Sequence, residues 1–386
     1  MLQKTPQVLV FTRTDMMPPI TRKQSIGAVM LLVLTAFIWG MCFVAQRSSM
    51  EYIGPFLFNG LRVVLGAATL AVVLGFYYVA KRLRKTSSRA GLAPESSAGL
   101  APESPAGLAP VSSAGLAPES SAESPVILTG EDRQTVLSKF RSNPQFRVIL
   151  TGGIVTGCAL FIASNLQQIA MVSTTASKAA FITTLYIVLV PIIGIVFRQR
   201  TRWNTWVSVA IAVAGLYLLC ISESFEIATG DLLLLTCAIF WSLHILFTGR
   251  YVQKLGQLEV IQLCIIQFLT TGILSLLCAP LFDSFFVSVP LTLETIYKVL
   301  PEICYAGILS SGVAFTLQAI GQKYAPPSPA AVIMSLESAF GLLGGVVLLN
   351  EVMAGREIIG CILMFIAVIL AQLTFGKRKR ITEKKE

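Results

Sequence analysis

Charge is scarce in this chain. Lysine, arginine, aspartate and glutamate make up 13% of its 386 residues, where a soluble globular protein carries about 25%. That is too little polar material to cover a water-facing surface, so a soluble globular fold is excluded. Histidine is scarcer still. With His244 alone, no histidine-based zinc constellation is available. None of the eight cysteines (Cys42, Cys158, Cys220, Cys237, Cys264, Cys278, Cys304, Cys361) stands in a CxxC pair. All lie in or at the edge of apolar runs and read as small packing residues. No metal or cofactor is therefore expected. The phosphate loop GxxxxGK[ST] is missing, as is HExxH, which removes an ATP-hydrolysing motor and a zinc protease. No paired acids or Ser/His arrangement suggest an enzyme acting within the membrane.

What is there is apolar. Hydrophobic residues make up 54%, gathered in blocks near the ~20 residues that cross a hydrocarbon core. The expected fold is an all-α polytopic membrane protein. Ten spans are read, at 26–45, 56–80, 148–170, 179–197, 206–221, 231–250, 260–282, 303–321, 330–349 and 358–375. The first 25 residues are polar and contain Pro18 and Pro19, unlike a cleavable signal. With the N-terminus inside, the inner segments hold 25 lysines and arginines and the outer loops four: Arg47, Lys178, Lys298 and Arg356. Both termini are therefore expected on the cytoplasmic side of the inner membrane. The same asymmetry accounts for the net charge of +10 without a nucleic-acid partner. The partners expected are the lipid bilayer and a small-molecule substrate.

One inner segment, about 81–146, is long and polar. Within it AGLAPESS at 90–97 recurs as AGLAPESP, AGLAPVSS and AGLAPESS at eight-residue steps, without an aromatic residue. Such a composition cannot bury enough surface to fold, and a disordered cytoplasmic insertion is expected.

The chain also repeats itself at long range. Residues 166–200 align without a gap to 317–351, with identities at 10 of 35 positions, among them Gln167/Gln318, Ala179/Ala330 and Gly194/Gly345. Trp39 after LLVLTAFI and Trp241 after LLLLTCAIF suggest a second correspondence. Two copies of a five-helix unit follow, 26–221 and 231–375, between a 1–25 segment and a basic tail at 376–386. Five is odd, so the second copy crosses in the opposite sense, as in secondary transporters with inverted repeats.

Several polar side chains stand inside these blocks. Glu337 lies in MSLESAFGLLGG (334–345), where an ion facing lipid would cost at least about 2.5–3.5 kcal/mol. It reads either as a proton or cationic-substrate site or as a structural hydrogen-bonding group. Its counterpart in the first copy is Tyr186. Arg62, in FNGLRVVLGA, suits a carboxylate or phosphate, or else the carbonyls of another helix. By span order it lies nearer the outside and Glu337 nearer the inside, so a direct pair is not assumed. Gln167 and Gln318 line a polar cavity or join helices. Trp39 and Trp241 wall such a cavity or anchor at the interface. His244 carries protons or packs at a helix contact. Gly341 and Gly345 form a GxxxG that brings helices together inside the monomer or in a homodimer.

The segments LQQIAMVSTTASKAAFITTLYIVLVP (166–191) and GILSSGVAFTLQAIGQKYAPPSPAAVIMSLESAFGLLGGVVLLNE (307–351) resemble EamA-type transporters of the drug/metabolite transporter superfamily. WSLHILFTGR (241–250) and the Arg62 segment fit the same pattern. The resemblance covers about 26–375, apart from the insertion. It implies a ten-helix inverted-repeat carrier that exports amino acids or related metabolites. Many members have Glu-Pro where Glu337-Ser338 stands, so a helix break there is less assured. The competing readings are a channel, or a receptor signalling through the 81–146 loop.

Overall fold

The computed structural model describes residues 20–90, 143–174, 176–199, 201–220, 229–286, 292–349 and 354–373. Among the described residues every regular element is helical. The helices are α1 Arg22–Ser49, α2 Pro55–Ala90, α3 Pro144–Ala170, α4 Ala176–Thr184, α5 Tyr186–Val196, α6 Trp203–Cys220, α7 Thr229–Val252 and α8 Gln257–Phe282. After a 3-10 turn at Asp283–Phe285 come α9 Leu293–Lys298 and α10 Leu300–Cys304. A π-helical segment at Tyr305–Ala314 joins α10 to α11, Phe315–Tyr324. The last three are α12 Pro327–Met334, α13 Leu336–Leu349 and α14 Gly355–Leu373. Seven helical stretches are long and apolar enough to cross a membrane, among them Arg22–Ser49, Pro144–Ala170 and Leu300–Tyr324. The protein is an all-helical, multi-pass membrane protein.

The chain groups into one unit of Met1–Leu74 with Gln145–Glu386 and a second, Gly75–Pro144. In the second, residues 75–90 continue α2. The apolar pattern suggested an end near residue 80, but Lys81, Arg82, Leu83 and Arg84 are good helix formers and carry the helix on. The repeat at 90–121 lies outside the described residues, save Ala90.

In the first unit the usual arrangement of a soluble protein is reversed. Met30, Val196 and Ile369 stand out on the surface. Gln46, Asn59, Arg62, Asn165, Gln168, Gln267, Gln322 and Glu337 are buried. Apolar side chains face where lipid would be, and polar ones face each other.

Contacts along the helices fix their relative directions. α1 runs antiparallel to the rod Leu300–Tyr324: Thr35 Oγ1 donates to the Ala314 carbonyl (3.1 Å), Trp39 Nε1 to that of Ser310 (3.2 Å), and Ser48 Oγ to Glu302 (3.3 Å). α3 runs antiparallel to α7, with Gly152 against Tyr251, Gln167 bonded to Trp241 and Ser173 beside Gly230. α3 is parallel to α8, where Gly152 meets Leu263, Thr271 donates to the Gly157 carbonyl and Asn165 to Ser275 Oγ. α2 is parallel to the same rod, through Leu65 with Gly307 and Thr69 with Gly312. α2 and α8 are antiparallel: Phe56 and Leu57 amides donate to Asp283 (2.9 and 2.8 Å), and Val64 meets Gly272.

Candidate functional site

A buried cavity lies among α1, α2, α3, α4, α5, α7, α13 and the rod. Six of the residues singled out in the sequence line it: Trp39, Arg62, Gln167, Tyr186, Trp241 and Glu337. Phe43, Gln46, Thr183, Ile245, Ser310 and Phe315 complete the wall.

Glu337 reaches the cavity through two local features. The first is a helix interruption. At Ser335 the chain turns more tightly: the Ser335 hydroxyl donates to the Val332 carbonyl (2.7 Å), and the Ser338 amide bonds the Ser335 carbonyl three residues back (3.2 Å). Serine competes in this way with the helical ladder. Helix continuity is thus lost two residues before Glu337, without the proline of related sequences. The equivalent helix is interrupted at Leu185, between α4 and α5. The second feature is Gly40. A Cβ there would stand 2.5 Å from the Glu337 carbonyl oxygen and 2.8 Å from the Gly341 nitrogen. Only glycine lets α1 approach α13 this closely. Gly341 faces Gly40, and Gly344 faces Met41. These glycines pack within the chain. The side of α13 at Gly345 lies outside the described side chains.

The carboxylate is bonded to the end of α4 and the start of α5. Tyr186 Oη donates to Glu337 Oε1 at 3.0 Å and Thr184 Oγ1 at 3.3 Å, while Thr184 also pairs with Ser338 Oγ at 2.9 Å. Tyr186 is the residue that the sequence repeat matches to Glu337. Both bonds fall on Oε1; among the described residues Oε2 accepts none.

Arg62 lines the same cavity but at another level of α1: it meets Gln46, whereas the Glu337 backbone meets Gly40. Its Nη1 donates to Gln46 Oε1 (3.0 Å), its guanidinium lies 5.6 Å from the Phe58 ring centroid, and Nε has no hydrogen-bond partner. Among the described residues no carboxylate forms an ion pair with it. One cavity thus holds a carboxylate and a guanidinium that do not neutralise each other.

Aromatic rings form one wall of the same cavity. Trp39 and Trp241 have ring centroids 6.0 Å apart, and Phe315 lies edge-on to Trp39 at 4.7 Å and stacked on Trp241 at 5.9 Å. Both indole N–H groups donate inward, Trp39 to the Ser310 carbonyl and Trp241 to Gln167 Oε1 (3.2 Å each). Buried as they are, these tryptophans occupy the core and not an interfacial belt.

Two candidates sit elsewhere. His244 lies behind the wall, edge-on to Trp241 and Phe315, with Nε2 3.1 Å from Gln267 Oε1. Gln318 bonds its own helix, Nε2 donating to Gln322 Oε1 at 3.2 Å. Gln46, missed in the sequence, carries a legible signal: it is a lone amide two turns beyond Trp39 on the same face. Phe315, Phe43, Thr183 and Ser310 carry none, because such residues occur on every face of an apolar helix.

Comparison with known proteins places the chain in a family. The model of the EamA-like transporter family matches residues 228–373. An uncharacterized transporter of Archaeoglobus fulgidus is 31% identical over 222 residues, 57% of this chain and 68% of that protein. The chain belongs to the EamA-type transporters of the drug/metabolite transporter superfamily. One crystal structure has a similar fold, with a TM-score of 0.60 over 90% of this chain and 96% of that one, at 19% identity. That likeness concerns the fold alone. As an EamA-type protein, the chain is a membrane transporter, and Glu337 and Arg62 line one cavity in it.

Proposed function

We propose that this EamA-type protein is a secondary active transporter that exports a small metabolite across the cytoplasmic membrane by alternating access. Its substrate is an amino acid or a related compound. The observation that carries this reading is the joint presence of Glu337 and Arg62 in one buried, aromatic-walled cavity. An amino group suits the free Oε2 of Glu337. A carboxylate suits the planar donors of Arg62, and the side chain lies on Trp39, Trp241 and Phe315. Glu337 also takes up a proton when the substrate's cation leaves, which couples flux to a proton or counter-substrate gradient.

Ten spans in two inverted copies fit the helix contacts. Exchange α1 with α7, α2 with α8, α3 with the rod Leu300–Tyr324, α4–α5 with α12–α13, and α6 with α14. The antiparallel pair α1–rod then becomes α7–α3, and the parallel pair α3–α8 becomes rod–α2. The packing of α1 on α13 becomes that of α7 on α4 and α5, and α6–α14 maps onto itself. Such two-fold exchange is what lets a central site open to each side in turn. The charge asymmetry of the loops favours cytoplasmic termini.

The test is flux. Metabolites that differ between cells with and without the protein are loaded into proteoliposomes containing the full chain. Saturable efflux with counterflow is expected for at least one zwitterionic metabolite, with Glu337→Gln removing its pH dependence. Absence of saturable flux for every candidate refutes the carrier, and unsaturated flux indicates a channel.

A further inference from the structure

Two buried glutamines hold backbone carbonyls at opposite ends of the cavity. Gln168 Nε2 donates to the Gln46 carbonyl at 2.9 Å. Gln322 Nε2 donates to the Ile245 carbonyl at 3.1 Å. Both side chains are fully buried. Each glutamine stands two residues before the end of its helix, Ala170 for α3 and Tyr324 for α11. Each accepting carbonyl belongs to a residue that lines the cavity.

The acceptors are open for local reasons. Gln46 lies in the last turn of α1, where carbonyls lack a helical partner, and the Met50 amide bonds Arg47 instead. Ile245 lies mid-helix, but Gly249 one turn on has no side chain. A Cβ there would stand 3.0 Å from Pro327 Cγ and 3.8 Å from Gln322 Nε2, so glycine clears the approach. The Gln46 side chain meanwhile accepts from Arg62, tying the first bond directly to the cavity's cation.

Around both bonds polar atoms are left unpaired. Among the described residues, Gln168 Oε1, Ser164 Oγ and Asn59 Oδ1 have no protein hydrogen-bond partner on one side, and Gln318 Oε1 and His244 Nδ1 have none on the other. Buried unsatisfied groups raise the free energy of the packed state. Water admitted from either end would pair with the polar atoms of that end.

We infer that Gln168 and Gln322 are the latches of two gates. Gln168 closes the outer passage between α3 and α1, and Gln322 the inner passage between α11 and α7. This rests on the alternating-access reading above, and in this structure both latches are closed.

The test reads accessibility, not transport. Ser164→Cys reports the outer passage and Thr248→Cys the inner one. Both are placed in the full chain in right-side-out and inside-out membrane vesicles. A membrane-impermeant maleimide is added, and its rate at each reporter is followed by peptide mass spectrometry. Gln168→Leu is expected to speed Ser164→Cys labelling from outside about fivefold, the worth of one net hydrogen bond, without speeding Thr248→Cys from inside. Gln322→Leu is expected to do the reverse. Gln168→Met, which keeps the length but carries no donor, behaves like leucine; wild-type labelling in that variant overturns the latch. So does an equal response, or none, at both reporters. If the reporters respond as described while no metabolite shows saturable flux, the gates stand and the carrier reading falls.

Discussion

Replacing Gly40 by alanine tests how Glu337 is held. The new methyl would lie 2.5 Å from the Glu337 carbonyl oxygen, 2.8 Å from the Gly341 nitrogen and 2.9 Å from Phe340 Cβ. None of these is the end of a flexible side chain, so none can rotate away. Reaching an ordinary separation of about 3.5 Å forces α1 and α13 apart by about 1 Å. Overpacking of this kind costs about 1–3 kcal/mol; at about 2 kcal/mol the folded-to-unfolded ratio falls about 30-fold. The displacement also breaks the site, since bonds of 3.0 and 3.3 Å to Glu337 Oε1 do not survive a shift of that size. Gly27→Ala is the control, because nothing lies within 4 Å of a Cβ there. Unfolding in mixed micelles and flux in proteoliposomes are measured for both. Gly40→Ala is expected to lose stability and flux together, and Gly27→Ala neither. If the two variants unfold alike and transport alike, the close approach of α1 does not position the carboxylate.

Other perturbations separate the parts of the site. Tyr186→Phe removes the shorter bond to Glu337 and keeps the ring; the pH profile of transport is expected to shift while stability falls by about 1 kcal/mol, and an unchanged profile argues against Glu337 as the proton site. Arg62→Lys keeps the charge but loses the planar fork, so the substrate KM is expected to rise at least tenfold with little change in folding. Deleting residues 90–121 is expected to leave flux unchanged in the same vesicles; loss of flux would assign the repeat a part in transport.

Much of this architecture was written in the apolar blocks. The described residues of the expected spans are helical, and seven helical stretches are long and apolar enough to cross a membrane, because ~20-residue apolar stretches have few alternatives in a bilayer. The repeat did more than suggest symmetry: it matched Tyr186 with Glu337, and those two side chains touch. Pairing within the cavity was less legible. Span order set Arg62 and Glu337 at different levels, and they meet α1 at Gln46 and Gly40 respectively; that one cavity reaches both was not legible. The break before Glu337 was hidden because serine produces it by back-bonding where a proline would have announced it. His244 and Gln318 belong to the surroundings of the cavity; which face of an all-apolar helix looks inward cannot be read when lipid and core ask for the same residues.

The π segment Tyr305–Ala314 makes chain length, as well as composition, a condition of this site. Its ladder closes over one residue more per turn than an α-helix. Losing a single residue there without a change of ladder would rotate everything beyond it by one residue's step, about 100° in an α-helix. The Trp39 contact at Ser310 would stay near its place, while Gln318 and Gln322 swung off the face that meets Ile245. A variant short by one residue would keep nearly every side chain and lose the phase between the two ends of one helix. The rod therefore acts as a keyed shaft, and a homologue that lacks the extra residue is expected to meet α7 with different side chains.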